Sequence, residues 1–264
     1  MKREPVAPSV FNYHHRNGAQ LRLFCFPHAG GSAATFREWS HSLTSSFDVW
    51  SVEYPGRGAR RDVAPCRRIS SLVDALLPDV RAKLTGSYAF FGHSIGALVA
   101  FEMLRRLRRE KAPPALCFFA SGCRAPSTAP RRRRIYDLPE QEFIGELREI
   151  GGTPDAVLAD DDLMQLALPA LRADFEANEH YSYEDGPKLD CPILVYSGLY
   201  DSTVTQVDLA EWKTESSDTT IIRMFPGAHF FLHSAKETVL RVLARDLQMH
   251  LQRNLAMKNS STDG

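Results

Sequence analysis

Hydrophobic positions along the chain fall into short unbroken runs bounded by Gly, Pro or polar residues: Leu21 to Phe26, Val49 to Val52, Tyr88 to Phe91, Leu116 to Ala120, Ile193 to Tyr196 and Ile221 to Phe225. Runs this short, without polar alternation, predict strands buried on both faces. Between them lie longer stretches with helix-like patterning, Thr35 to Leu43, Ile69 to Lys83, Ile95 to Arg109 and Lys236 to Leu251. The alternation predicts an α/β fold, a mostly parallel sheet with helices on both faces. Residues 127–187 break the rhythm, with no convincing strand but helical patterns over Glu140 to Ile150 and Asp161 to Glu179. This segment is expected to be a helical lid inserted over the sheet. Leu163, Leu166, Leu168, Leu171 and Phe175 offer it an apolar face, in part packed on the body and in part lining a pocket.

Composition narrows the picture. A chain of 264 residues that is 44% hydrophobic can bury a substantial core, and residues 1–264 are read as one domain. The 32 basic residues balance the 32 acidic ones, so no overall field draws the protein to nucleic acid or to an anionic membrane. No apolar run approaches the roughly 20 residues a membrane span needs, and the charged start Met1-Lys2-Arg3-Glu4-Pro5 is followed by no apolar leader core. Cys25, Cys66, Cys117, Cys123 and Cys191, an odd set with several members in strand-like runs, read as reduced thiols. A cytoplasmic, monomeric protein is expected. The polar tail 257–264 is too poor in apolar residues to offset the entropy of ordering and is expected to be disordered.

The candidate chemistry lies at Gly92-His93-Ser94-Ile95-Gly96, which fits G-x-S-x-G. Its context outweighs the pattern: Tyr88 to Phe91 precede it and Ala97 to Leu104 follow, giving strand, sharp turn and helix. At such a turn, glycines on either side of the serine let strand and helix approach while the hydroxyl is thrust outward. The plain alternative is a Gly-rich turn with an ordinary serine; strand and helix together favour a nucleophile at Ser94 in an α/β-hydrolase fold. A serine hydroxyl needs a base, and this fold supplies acid and then base later in the chain. Asp201 follows the strand-like run Pro192 to Tyr196, in the loop where catalytic groups gather. Asp208 is the weaker choice, a helix charge. His229 follows the strand-like run Ile221 to Phe225 and the turn Pro226-Gly227-Ala228.

His233 lies four residues beyond His229, but there is no His-Glu-x-x-His and no carboxylate or cysteine cluster, so no metal is expected. Charge developing on a carbonyl oxygen calls for backbone donors. One is the amide of Ile95; the other is assigned to Ala29, in the loop Pro27-His28-Ala29-Gly30-Gly31-Ser32 after the first strong strand. His28, Gly30 and His93 are counted as substrate-site residues, with a structural role in the elbow as the simpler reading of His93.

These residues resemble the type II thioesterases that accompany nonribosomal peptide and polyketide synthases, together with the medium-chain acyl thioesterases of fatty-acid synthesis. The resemblance rests on Phe26 to Gly31, on Tyr54-Pro55-Gly56-Arg57-Gly58 with Arg60, and on Phe91 to Ala97. It continues through Gly151-Gly152-Thr153-Pro154, Leu168 to Asp174 and Pro226 to Phe231. Two positions depart from the family pattern: Ile95 stands where methionine is common, and Ala228 where glycine is common. A glycine there can take φ > 0, which leaves the position of the loop carrying His229 open, though not the identity of His229.

The resemblance implies hydrolysis of acyl groups from the phosphopantetheine arm of acyl or peptidyl carrier proteins, through an acyl-Ser94 intermediate, to clear stalled or misprimed units. The arm belongs to the substrate, so the enzyme itself needs no cofactor. Other outcomes of the same site are chain release by transfer or cyclisation, an ordinary carboxylesterase, and a binding protein without turnover; the complete Ser, Asp and His set argues against the last. Carrier proteins of this class tend to be acidic, and Arg131 to Arg134, with Arg105, Arg106, Arg108 and Arg109, offer a basic patch. If the first group guides a carrier, changing Arg131 to Arg134 to Ala slows turnover of acyl-carrier more than of acyl-pantetheine. Equal effects on both substrates refute that role.

Overall fold

The structure, a computed structural model, describes residues 7–129 and 133–262. In chain order its elements are β1 (Val10–Phe11), β2 (Leu21–Phe26), α1 (Trp39–Ser42), β3 (Phe47–Val52), α2 (Ile69–Ala82), β4 (Ser87–His93), α3 (Ile95–Arg109) and β5 (Phe118–Ser121). There follow α4 (Glu140–Ile150), α5 (Asp155–Leu158), α6 (Asp161–Glu179), β6 (Ile193–Gly198), α7 (Gln206–Ala210), β7 (Thr220–Phe225), α8 (Phe231–Ser234) and α9 (Lys236–Thr262). The strands form one sheet of order β1-β3-β2-β4-β5-β6-β7, in which β1 runs antiparallel to β3 and every other pairing is parallel. This is the α/β-hydrolase architecture.

Successive side chains of a strand point to opposite faces. In the central strands both sets are buried. Phe24, Phe90, Phe118 and Ile193 pack with α2 and α3 on one face, whereas Leu23, Phe91, Phe119 and Leu194 pack toward α1 and α9 on the other. With no face left for water, the strands read as unbroken apolar runs. The two-residue β1 is too short for any run to reveal. The segment Thr35 to Leu43, expected as one helix, is a 3-10 turn at Ala33–Phe36 followed by the single turn α1. Phe36 and Trp39 both pack edge-on against Phe91, with centroids 6.0 and 4.8 Å away.

Between β5 and β6, α4 to α6 enclose a small core of their own that includes Phe143, Leu147, Met164, Leu168 and Leu171. Its spacing along α6 turns Leu163 and Leu166 outward, 44% and 77% exposed, against the expectation that both join the apolar face. The tail also differs from expectation: α9 continues past Met257 to Thr262. Each residue added to an existing helix gains a hydrogen bond without a new nucleus, so polar composition alone does not stop it.

Helix α9 is tied to the sheet by Asp246. Its carboxylate, fully buried, accepts from the Tyr196 hydroxyl at 2.7 Å and from Arg223 Nε and Nη2 at 2.6 and 2.7 Å. Asp246→Ala leaves a cation and a hydroxyl without their acceptor and is expected to cost about 3 kcal/mol. Urea unfolding checks this, with Asp246→Asn losing less.

Candidate active site

Strand β4 ends at His93 and α3 begins at Ile95, which leaves Ser94 alone to turn the chain. It does so at φ 56°, ψ −125°, a conformation that costs a non-glycine residue on the order of 1–3 kcal/mol. The flanking glycines are sterically required. A Cβ on Gly92 would lie 2.2 Å from the Gly96 carbonyl oxygen, and one on Gly96 would lie 2.2 Å from the Phe26 oxygen at the end of β2. The Ser94 amide donates to the Ser121 carbonyl at 2.8 Å, which anchors the turn to β5.

Asp201 lies just beyond β6 and His229 just beyond β7, in loops stitched together through Leu199 N–H to Phe225 O at 2.8 Å and Tyr200 N–H to Gly227 O at 3.0 Å. The His229 Nδ1 to Asp201 Oδ2 distance is 2.8 Å, and both residues are buried. The other carboxylate oxygen accepts from the Thr203 hydroxyl at 2.6 Å and the Thr203 amide at 2.9 Å. Burial, the largest influence on Asp201, pushes its pKa up; the His229 ring and the two Thr203 donors outweigh it and leave the carboxyl below its ordinary range. Asp201 therefore stays ionised and keeps the proton on Nδ1, leaving Nε2 as the basic nitrogen. The turn before His229 takes its positive φ, 118°, at Gly227 rather than at Ala228. The alanine is accommodated and the pairing with Asp201 is kept.

Asp208 instead closes a capping box with Thr205 at the start of α7. Among the described residues no group of three His, Cys, Asp or Glu is placed to hold a metal ion. All five cysteines are free thiols, and all but the half-buried Cys66 are buried.

Ser94 and His229 open onto one cavity of about 140 Å³, whose near wall includes His28, Ala29 and Ile95. The insertion supplies much of the remaining lining, apolar at Ile135, Leu147, Ile150, Leu171 and Phe175 and polar at Arg133, Thr153, Asn178 and Glu179. Gly30 and His93, expected at the substrate, are not among the lining residues. The Gly30 amide faces α6 and donates to Asp174 Oδ2 at 2.8 Å. His93, wholly buried, lies beneath the site with Nδ1 2.9 Å from Ser121 Oγ, and its ring is 5.1 Å from that of His229. Burial, and then the neighbouring His229, His28 and His233, hold His93 far below the usual imidazole pKa. His28 is lowered from 6.5 to about 3, first by burial and then by His233, His229 and Arg57.

The basic groups separate. Arg105 pairs with Glu102, Arg106 with Glu110 and Asp74, and Arg108 with Asp190, all about 15–20 Å along α3 from Ser94 at 1.5 Å per residue. They do not share the cavity mouth. Arg124 and Arg133 line the cavity, Arg133 also pairing with Glu146 at 2.7 Å, whereas Arg131 and Arg132 lie outside the described residues. Two features had no sequence signal as site residues. Thr203 is one; the other is the buried pair of Arg57 and Asp174, 117 residues apart, whose proximity no local pattern encodes.

Comparison with known proteins finds likeness over most of the chain. The thioesterase domain family matches residues 21–247. The gramicidin S biosynthesis protein GrsT of Aneurinibacillus migulanus is 35% identical over 240 residues, covering 91% of this chain and 94% of that protein. Thioesterase PikA5 of Streptomyces venezuelae is 38% identical over 226 residues, 85% of this chain and 80% of that protein. Among solved structures, the type II thioesterase BorB from the borrelidin biosynthetic cluster superposes with a TM-score of 0.81 at 33% identity, covering 92% of this chain and 96% of that one.

The buried histidines make stability depend on pH. His28 has a folded pKa below its unfolded one, so the unfolded chain takes up the proton first as pH falls. Its contribution is complete above about pH 6.5 and declines toward pH 3, by up to about 1.4 kcal/mol per pH unit. Urea midpoints are expected to fall from pH 6.5 to 4.5, and less steeply in His28→Gln; the buried His93 and His250, shifted in the same direction, add to the fall.

Proposed function

The chain belongs to the thioesterase domain family, and from that premise we propose that it hydrolyses acyl groups held as thioesters on the phosphopantetheine arm of carrier proteins, clearing stalled or misprimed units from a nonribosomal peptide or polyketide synthase. It is a serine hydrolase acting on thioesters. The observation that carries the reading is that His229, bonded to Asp201, and the strained Ser94 line one cavity together with the apolar side chains Leu147, Ile150, Leu171 and Phe175. Its likeness to stand-alone thioesterases over most of their length supports an editing rather than a synthetic role.

In this mechanism His229 Nε2 takes the Ser94 proton as Oγ attacks the thioester carbon. Negative charge forms on the carbonyl oxygen and is received by the amides of Ile95 and Ala29, each donor contributing about 3–4 kcal/mol at the transition state. The tetrahedral intermediate collapses, the carbon–sulfur bond breaks, and the pantetheine sulfur leaves with the proton from His229. A thiol of pKa near ~8.5 departs with less help from a general acid than an amine needs. Water then enters, loses a proton to His229 and attacks the acyl-Ser94 carbonyl; Ser94 recovers its proton and the free acid leaves. Asp201 holds the imidazole tautomer and offsets the imidazolium charge formed in each half-reaction.

Acyl chains extend between Leu147, Leu171 and Phe175, the pantetheine arm enters past the cavity mouth, and Arg124 and Arg133 in the cavity lining suit an acidic partner. The partners are acyl or peptidyl carrier proteins, the enzyme requires no cofactor of its own, and it acts as a cytoplasmic monomer. No helix among the described residues is long and apolar enough to cross a membrane.

Incubation with a panel of acyl-phosphopantetheinyl carrier proteins tests this. The wild type is expected to release free acid, and Ser94→Ala to be slower by at least about 10⁴-fold. Ester, amide or ring products would show acyl transfer instead, and equal background release by both proteins would remove the proposed function.

A further inference from the structure

Asp174 is fully buried in α6, yet its carboxylate serves residues 144 and 117 positions earlier in the chain. Oδ2 accepts the Gly30 amide at 2.8 Å together with one Arg57 nitrogen, and Oδ1 accepts the second Arg57 nitrogen at 2.8 Å. Arg57, 8% exposed, reaches the Gly31 carbonyl at 3.4 Å and lies 5.3 Å from the centroid of the Tyr54 ring. The Tyr54 hydroxyl in turn donates to the Pro27 carbonyl at 3.1 Å. The loop 27–31 is thus held at Pro27, Gly30 and Gly31, on both sides of Ala29, by side chains from the segment after β3 and from α6. Contact is close as well, since a Cβ on Gly30 would lie 2.4 Å from Leu171 Cδ2.

We propose that Arg57 and Asp174 are a positioning pair that holds the Ala29 amide in line for the oxyanion, so that the site is complete only when α6 is docked. This inference rests on the role given to Ser94 above. A buried ion pair is by itself weak evidence for stability, because apolar side chains of similar size fill such an interface as well or better. What apolar side chains cannot supply is an acceptor for the Gly30 amide, which sets the direction of the backbone next to Ala29. The same helix carries Leu171 and Phe175 into the cavity wall. One element therefore lines the acyl site and aims an oxyanion donor, which links filling of the pocket to the competence of the site.

The test compares the wild type with Asp174→Asn and with the double variant Arg57→Met, Asp174→Leu, after thermal melting has established that each is folded. Two quantities are read: kcat and KM on an acyl-pantetheine thioester, and the rate at which a fluorophosphonate labels Ser94. In labelling, a phosphorus–oxygen bond forms at Oγ, fluoride leaves and His229 takes the proton, while the phosphoryl oxygen occupies the oxyanion position. The double variant is expected to melt no lower than the wild type, to label and turn over at least about tenfold more slowly, and to keep KM within about twofold. Asp174→Asn, which retains an oxygen for the Gly30 amide, recovers much of the lost rate. Wild-type labelling in the folded double variant, or a raised KM with unchanged kcat, overturns the proposal. Labelling requires no thioester, so a failure of the substrate assignment leaves this readout intact and the two failures are told apart.

Discussion

Backbone contact at the elbow is the constraint on which the rest of the site depends. Gly92 and Gly96 bring β4, α3 and the end of β2 closer than any side chain allows. Ser94 is thereby forced to φ 56°, and the loop leaving β2 is brought beside it. The proposed nucleophile and both proposed oxyanion donors are consequences of that one approach. The strain persists because the elements that impose it are rigid: β4 is buried on both faces, and Phe90 and Phe91 pack into the two separate cores.

Electrostatic environment then distinguishes otherwise similar imidazoles. His28, His93 and His229 all surround the ring of Phe230 within 5.5 Å, centroid to centroid. Burial drives the first two toward the neutral form, and of the three only His229 is bonded to a carboxylate. Phe230 also explains Gly152, since a Cβ there would lie 2.0 Å from its ring. The insertion thus touches Phe230 beside His229, and the loop 27–31 through Asp174.

Much of this was legible in the chain because its cause is local. Strands buried on both faces leave unbroken apolar runs, a strand-to-helix turn at Ser94 leaves paired glycines, and Asp201 and His229 fall in loops that follow strands. The bounds of α3, α4 and α6 follow from helical spacing in the same way. Where local signals conflict with packing, packing prevails: Phe36 and Trp39 turn Thr35 to Leu43 into two short pieces, and Leu163 and Leu166 face water because Met164, Leu168 and Leu171 face the insertion's core.

By itself the sequence determined the fold class and the family, and it singled out Ser94, Asp201 and His229 as candidates, because each leaves a mark within a few residues of itself. Only the tertiary structure decided that the Gly30 amide bonds to Asp174 of α6, that His93 is buried against Ser121, and that Arg105, Arg106 and Arg108 pair with carboxylates far along α3 from Ser94. It alone joined Arg57 to Asp174. The reason is physical: periodicity and turn chemistry act over one or two turns of chain, whereas the direction of an amide or the partner of a buried charge is settled by groups more than a hundred residues away.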